Sequence, residues 1–488
     1  MRPTVRPMLQ ALAAVAILAL AGCGSSSPAG NPLNTSLSYF PANSPFVISI
    51  QTDPNSPAIQ QMHQLEGRFP TAALGQAALM AQLQQLGINY DTDIRPLFGN
   101  PVLLGLGGPG LGGGARSEFL AVWITKDAGT LSRLVSKLTH GGQSAGKYDG
   151  ATLYQAGTSA VAVDGATAVI GASTSIIQTA LDRHAHGGGV TPASYASYMS
   201  GLPRDTLMQA FGSLTGALST PRAAKARQIP WVAALRGYGA AISAGAGGLT
   251  LRYHLDTSGG TLSTSQLPIA SGTTAPPLAG SLPIAAAVAN PSQLISFIES
   301  AEQATGSPSY ADFLRRQAAA KSKTGADLNT LLGQMTGSMM LSSDTHTTMV
   351  RAGVTSPSTT AATLAKLARD PQAFSATASS VTKGPGGFYT VNDSPKKTIS
   401  IGLIGNQLIA GRATPAALSA FAAAPTSPAA GANGTLAFRI ALPTLLGLAI
   451  RTAPPKVLQT VLGQLGAVTG WAAASTTGLS GAASLALQ

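Results

Sequence analysis

Charge is scarce in this chain of 488 residues: Asp, Glu, Lys and Arg make up only 10% of it, against about a quarter in ordinary soluble domains. That excludes long charged tails, charged coiled coils and most nucleic-acid-binding architectures. Aromatic residues are also few, at 5%. Cysteine occurs once, as Cys23, so the chain can close no disulfide on itself and build no multi-thiolate metal site. Beyond the first 22 residues no window holds eighteen consecutive apolar residues, and no later segment is predicted to span a membrane. Long uninterrupted helices are not expected either, because 56 glycines and 32 prolines punctuate the chain. What is present is apolar and basic. Hydrophobic residues make up 44%, and Lys and Arg outnumber Asp and Glu by 30 to 18. This length allows two or three domains, each with its own core.

The first 22 residues have the three parts of an export signal. Arg2 and Arg6 make a positive start, Met8 to Leu20 is apolar except for Gln10, and small residues follow. The apolar stretch is too short to cross about 30 Å of hydrocarbon as a helix. The run Leu20-Ala21-Gly22-Cys23 resembles the lipobox of bacterial lipoproteins. That resemblance implies a diacylglyceryl group on the Cys23 thiol and cleavage before it, so that Cys23 becomes the first residue of the mature protein. It also implies a chain anchored to the extracytoplasmic face of the cell membrane. Residues 23–34 are rich in Gly, Ser, Pro and Asn and read as a flexible tether.

The remainder repeats itself. Asp93-Ile94-Arg95-Pro96-Leu97-Phe98-Gly99 aligns with Asp327-Leu328-Asn329-Thr330-Leu331-Leu332-Gly333, and Gly165, Gly171 and Thr174 align with Gly405, Gly411 and Thr414. Phe46 to Ile50 before Asp53-Pro54 has a counterpart in Ile284 to Val288 before Asn290-Pro291. A near-constant offset of this kind marks a duplication. It predicts repeat domains over 35–265 and 278–488, joined by a linker over 266–277. Leu131, Leu134, Val135 and Leu138 have helical spacing, with Asp127 placed to cap and Gly141 beyond the end. Leu79, Leu83 and Leu86 mark another helical face, stopped by Gly87, and Thr174 and Thr414 are expected to cap equivalent helices. Phe119 to Ile124 is apolar throughout and reads as a central strand. Ile399, Ile401 and Leu403 alternate with smaller residues, as in a strand buried on one side. The fold class is therefore α+β: two homologous domains, each a mainly antiparallel sheet with helices packed largely on one face.

Tyr39-Phe40-Pro41-Ala42-Asn43-Ser44-Pro45, followed by a strand and Asp53-Pro54, resembles an exported actinobacterial family whose domain is known only as one of unknown function. The Asp93 to Gly99 segment strengthens the likeness. The resemblance implies an envelope protein and carries no activity or functional residues with it.

Motifs with chemical meaning are few, and each meets an obstacle. Gly142-Gln143-Ser144-Ala145-Gly146, close to His140, fits G-x-S-x-G. A nucleophile elbow runs from strand to helix, whereas here a helix precedes and a strand follows. Gly105-Leu106-Gly107-Gly108-Pro109-Gly110 fits G-x-G-x-x-G, but the next element reads as a strand, not the helix a dinucleotide site requires. Asp91 and Asp93 could share a hard cation, yet Asp93, like Asp327, reads as a helix cap. His184 and His186 beside Asp182 could ligate a metal, but they fall where a helix ends, and imidazoles and Arg183 suit that negative end. His63, His254 and His346 are isolated in sequence. Clusters at Arg222-Lys225-Arg227, at Arg315-Arg316-Lys321-Lys323 and at Lys396-Lys397 suit a solvated face or contact with anionic lipid or wall polymer. Leu442 to Ile450 reads as a buried helix, or as the wall of an apolar groove.

No catalytic, metal or cofactor residues are assigned. The expected function is a membrane-anchored extracytoplasmic lipoprotein that binds or scaffolds in the cell envelope without catalysis and without nucleic acid. Its partner is the membrane, reached through the lipid on Cys23, and its ligand is not specified by the sequence. An envelope hydrolase using Ser144 or a carboxylate, and the solute-binding component of a transporter, are the alternatives.

Overall fold

Strands here are built from Val, Ile, Leu and Ala runs that alternate faces, and an antiparallel ladder lets short turns join them. A computed structural model describes residues 31–67, 80–107, 118–139, 144–156, 159–258, 260–280, 282–394, 397–449 and 463–487. Leu20, Ala21, Gly22 and Cys23 lie outside the described residues. The chain divides into two compact units. Unit 1 comprises the residues up to Thr220 together with Arg236–Asp256. Unit 2 comprises Pro221–Leu235 and Thr257–Ala486.

Among its described residues unit 1 contains ten strands: β1 (Val47–Ile50), β2 (Val102–Gly107), β3 (Glu118–Ile124), β4 (Gly146–Tyr148), β5 (Ala151–Ala156), β6 (Ser159–Asp164), β7 (Thr167–Gly171), β8 (Met208–Ser213), β9 (Gly237–Gly245) and β10 (Gly248–Asp256). Every pairing among them is antiparallel, in the order β10-β9-β8-β1-β2-β3-β7-β6-β5-β4. The expected central strand is β3, flanked by β2 and β7 and buried from Leu120 to Trp123.

Among the described residues the helices that accompany this sheet include α1 (Pro32–Leu37), α2 (Pro57–Glu66), α3 (Ala128–Leu138), α4 (Thr174–His186) and α5 (Pro192–Tyr198). They divide between the two faces of the sheet instead of gathering on one. Leu37, Ile177 and Leu181 of α1 and α4 cluster with Val47, Leu120, Val122 and Phe211. Leu131, Leu134 and Val135 of α3, with Ile94, Leu97 and Phe98, cluster with Trp123, Val161 and Ala168. Neighbouring residues of β3 and β6 fall in different clusters, as a two-residue period demands. A strand that is apolar on both sides needs cover on both sides.

In unit 2 the strands are β11 (Leu278–Ala279), β12 (Ile284–Ala289), β13 (Met335–Ser343), β14 (Thr348–Val354), β15 (Ser380–Lys383), β16 (Tyr389–Ser394), β17 (Lys397–Ile404), β18 (Gln407–Arg412), β19 (Thr426–Ser427), β20 (Leu436–Ala441), β21 (Leu465–Ser475) and β22 (Gly478–Leu487). Its antiparallel order is β21-β20-β12-β13-β14-β18-β17-β16-β15, with β11 and β19 paired separately. The helices include α6 (Pro291–Thr305), α7 (Pro308–Thr324), α8 (Leu328–Leu332), α9 (Pro357–Leu367), α10 (Pro415–Ala423) and α11 (Leu442–Ala449). At 15 and 17 residues, α6 and α7 are longer than the glycine and proline content led us to expect. Both breakers sit at the ends: Pro291 and Pro308 begin the helices, and Gly306 and Gly325 end them.

Local chemistry decides the caps. Asp127 Oδ1 accepts from Thr130 N at 2.9 Å and Thr414 Oγ1 accepts from Ala417 N at 3.3 Å, as expected. Asp327 Oδ1 accepts from Thr330 N at 2.7 Å. The helix expected from Thr174 is capped one residue earlier, by Ser173, whose Oγ accepts from Ile176 N. Asp93 is not a cap. Asn89 holds that place, and Asp93 reaches back to accept from Asn89 N at 2.8 Å, the reciprocal half of a capping arrangement. The expected tether ends early, because Asn31 Oδ1 accepts from Leu33 N and starts α1. Leu267 and Ile269, inside the expected linker, are buried beside Val288 and Ala472 in unit 2. Gly87 ends its helix with φ of +70°, but Leu86 is exposed. Ser400 is buried with Ile401, so β17 is covered on both sides and not on one.

A single cation organises one end of unit 2. Arg351 on β14 is 5% exposed and donates to the carbonyls of Phe421, Ala422 and Ala424 at 2.6, 2.7 and 3.2 Å. Its guanidinium also lies 5.1 Å from the centre of the Phe421 ring. It closes the C-terminus of α10, where carbonyls lack helical partners and the dipole is negative. Replacing it by Met should cost about 2–4 kcal/mol, since several buried carbonyls lose their donor. Urea denaturation is the measurement, and a midpoint within error of wild type would refute this role for Arg351.

Asp93 accepts from Lys137 Nζ at 2.6 Å and is itself 6% exposed. The Lys137 hydrogen bond, helped by the Asn89 amide and nearby Arg133, outweighs burial and lowers the Asp93 pKa. A depressed carboxylate pKa gives stability that is complete above the unfolded value near 4 and is lost as pH falls through the folded value. Asp93→Asn should therefore destabilise the protein at pH 7 by about 1–2 kcal/mol and lose that difference below pH 3. Equal deficits at pH 7 and pH 2.5 would show that the carboxylate charge is not the cause.

Candidate functional site

The sequence motifs do not assemble into a site. Ser144 lies between α3 and β4, in the helix-to-strand order that a nucleophile elbow reverses. His140 lies outside the described residues. Gly105 and Gly107 belong to β2, which pairs antiparallel with β3, with Gly107 opposite Glu118. The described residues on either side of this segment are antiparallel strands, not the strand-to-helix order of a dinucleotide site. Asp91 faces Arg95 on the surface at 3.5 Å, while Asp93 turns inward to Lys137. The histidines near the end of α4 are engaged in structure. His184 Nδ1 lies 2.5 Å from Ser38 Oγ and its ring stacks on Tyr39 at 4.2 Å. His186 Nδ1 meets the Asp182 carbonyl at 3.0 Å, and the Asp182 side chain accepts from the Tyr148 hydroxyl at 2.8 Å. Arg183 donates to the Tyr39 carbonyl. Among the described residues no three His, Cys, Asp or Glu side chains form a group able to hold a metal ion.

The basic clusters divide. Arg315 pairs with Asp312, Lys321 with Asp327 at 3.2 Å, and Lys323 with Asp370 at 3.5 Å. Lys396 lies outside the described residues. The segment from Leu442 is helical to Ala449, as expected, and Ile450 lies outside the described residues. No described helix is long and apolar enough to cross a membrane.

Unit 1 holds a cavity of about 780 Å³ that no motif announced. Its floor is the sheet where β1 meets β8, and its roof is α5 with the loop that follows. Thr191 and Ser194 form a capping box that starts α5, and Pro192 takes its first position. The far end of the helix is pressed onto the sheet: a Cβ at Gly239 of β9 would overlap the Tyr198 carbonyl. Tyr195 and Tyr198 pack on Phe211 of β8, with ring centres 5.2 and 5.9 Å away. Gly201, at φ of +72°, then turns the chain back over the cavity toward Thr206.

The polarity of the floor is unusual for its position. On β1 and β8, Val47 and Phe211 point into the apolar core. Two residues along, on the same face, stand Ser49 and Gln209, opposite each other in the ladder, and Gln51 follows. All three line the cavity. Ser49 is 6% exposed and Thr206, across from it, 5%. Neither side chain has a hydrogen-bond partner in the protein. Gln51 spends its carbonyl on Thr52 N and Asp53 N, both at 2.9 Å, and its NH₂ is left over. Gln209 accepts from the Tyr195 hydroxyl, again leaving its NH₂. Burial pushes the Tyr195 pKa up to about 12, so this phenol remains a donor at any physiological pH. Arg204 stands at the rim, exposed and without an ion pair. No acidic side chain lines the cavity. Beyond Gly201, Leu202 and Pro203, a second hollow of about 480 Å³ is lined by Ser243, Thr250 and Arg252.

Sequence reasoning missed this site because its members are far apart in the chain. The available signal was local: Ser49 and Gln51 interrupt the inward period set by Val47. Unit 2 supplies the contrast. There β12 sets Ala287 opposite Ala437 and Met340, whereas β1 sets Ser49 opposite Gln209 and Leu103. Ala287 and Ala437 are buried in an apolar cluster.

Three crystal forms of TP0453 are similar to parts of this chain. Form III shares 12% identity over 49% of this chain and 82% of that one, with a TM-score of 0.27. Form IV shares 9% over 45% and 80%, and form I 11% over 45% and 78%, each also at 0.27. A likeness this slight bears on neither fold nor function. No curated protein matches the chain. Residues 8–383 match a family described as a protein of unknown function, DUF3352. That match takes in well over half of the sequence, and the chain belongs to the DUF3352 family.

Proposed function

We propose that this protein is a lipid-anchored extracytoplasmic lipoprotein of the cell envelope that acts by binding a ligand, not by catalysis. The observation that carries the binding role is the unit 1 cavity, whose wall presents the Ser49 and Thr206 hydroxyls and the NH₂ groups that Gln51 and Gln209 have left over. A ligand that hydrogen-bonds these groups would take the place of the water that otherwise meets them in the cavity. The anchoring role rests on Leu20-Ala21-Gly22-Cys23 after the basic and apolar segments. Two acyl chains on one thioether suffice for stable anchoring, at about 0.8 kcal/mol per buried methylene. Against the hydrolase reading stands the helix-before-strand order around Ser144, which leaves its hydroxyl without a rigid turn to expose it.

Cys23→Ser should move the protein from the membrane fraction to the soluble or secreted one with its circular dichroism unchanged. Mass spectrometry of the wild-type N-terminus should show Cys23 carrying a diacylglyceryl group. An unmodified Cys23 would sink the anchoring role.

An active-site-directed fluorophosphonate should leave Ser144 unlabelled, because nucleophilic attack needs a base held about 2.6–3.2 Å from the hydroxyl. Stoichiometric labelling at Ser144, abolished by His140→Ala, would replace the binding reading with a hydrolase.

A further inference from the structure

We infer that the unit 1 cavity binds a short acidic saccharide, of one or two sugar units carrying a carboxylate. The inference rests on the binding role proposed above and names its ligand class. The volume, about 780 Å³, is in the range of sites for small organic ligands. The chemistry of its wall narrows the class. Ser49 and Thr206 offer hydroxyls that both donate and accept, and Gln51 and Gln209 offer NH₂ groups whose carbonyls are already committed. Vicinal sugar hydroxyls also both donate and accept, and can meet several such groups at once. An acyl chain would leave every one of them unpaired, at about a factor of ten or more in affinity per group.

The charge balance points the same way. Arg204 is the charged side chain of the lining and has no anionic partner. With no carboxylate in the wall, the cavity favours a ligand that brings its own negative charge to the rim. Met199, Leu202 and the prolines at 101, 192 and 203 supply the apolar surface that sugar C–H faces require. The alanines at the matching ladder positions of unit 2 confine the site to unit 1.

The test is calorimetry on the full chain in a sugar-free detergent. The probes are the acidic disaccharide N-acetylglucosaminyl-N-acetylmuramic acid, its neutral counterpart diacetylchitobiose, and lysophosphatidylglycerol. The acidic disaccharide should bind more tightly than the neutral one, and Arg204→Gln should erase that difference. Ser49→Ala and Gln209→Leu should each weaken binding about tenfold, the loss of one good hydrogen bond. The melting temperature of Ser49→Ala should be unchanged or raised, which a structural role for this hydroxyl would not allow; Gln209→Leu also removes the acceptor of the Tyr195 hydroxyl and is read by binding alone. Equal binding of the two disaccharides, or binding insensitive to Ser49→Ala and Gln209→Leu, would overturn the assignment. Displacement by lysophosphatidylglycerol that depends on Gln209, with no saccharide bound, would overturn the ligand class and leave the binding role standing. If none of the three probes binds, and Ser49→Ala lowers the melting temperature, the polar wall is structural and the binding role fails with the inference.

Discussion

A β-strand in the middle of a sheet covered on both faces has no solvent side on which to place a polar residue. That constraint governs both units. In unit 1, Leu120 and Val122 of β3 serve one apolar cluster while Trp123 serves the other, and β6 divides Ala160 and Ala162 from Val161 in the same way. Helices α1 and α4 with the Tyr39-Phe40 segment are needed on one side, α3 and the turn ending at Phe98 on the other. The register of the ladder therefore fixes which helices the unit must carry. It also makes any polar side chain on an inward position conspicuous, because shifting it to solvent would require slipping the whole strand by one residue.

Some buried polar groups are held by several partners at once. Arg351 spends its donors on the C-terminal carbonyls of α10, and Asp93 accepts from both Lys137 and the Asn89 amide. Thr52 Oγ1 donates to the Asn100 carbonyl at 2.6 Å and accepts from Gly99 N at 3.2 Å. Ser49 and Thr206 are buried as deeply as these residues and have no such partners.

How much of this was legible in the sequence depends on the range of the interaction concerned. Caps act over three residues, so Asp127, Asp327 and Thr414 could be read directly. Asp93 was misjudged because Asn89, four residues earlier, competes for the same backbone amides, and two adequate caps in one stretch leave spacing undecided. The run from Phe119 to Ile124 declared a central strand, since burial on both faces removes all polar alternation. The same logic implies helices on both faces, which a count of strands and turns does not reveal. Ser400 shows a related limit: a small hydroxyl between isoleucines looks like a solvent side, yet β17 is covered there too.

The cavity lay beyond such reasoning because Ser49 and Gln209 meet only through the β1–β8 ladder, and Thr206 only through the turn at Gly201. Once the ladder is known, the polar break becomes interpretable. A Ser and two Gln residues extend an inward face begun by Val47 and Phe211, while the matching place in unit 2 is closed with Ala287 and Ala437. Two sheets with the same order of strands differ at the positions where one of them opens. The fold tolerates alanine there, so packing alone does not demand Ser49 or Gln209. Tyr195 strengthens the point: its hydroxyl holds the Gln209 carbonyl and turns the NH₂ of that side chain toward the cavity. It is this arrangement, a donor fixed in place with no protein acceptor for it, that the proposed binding role rests on.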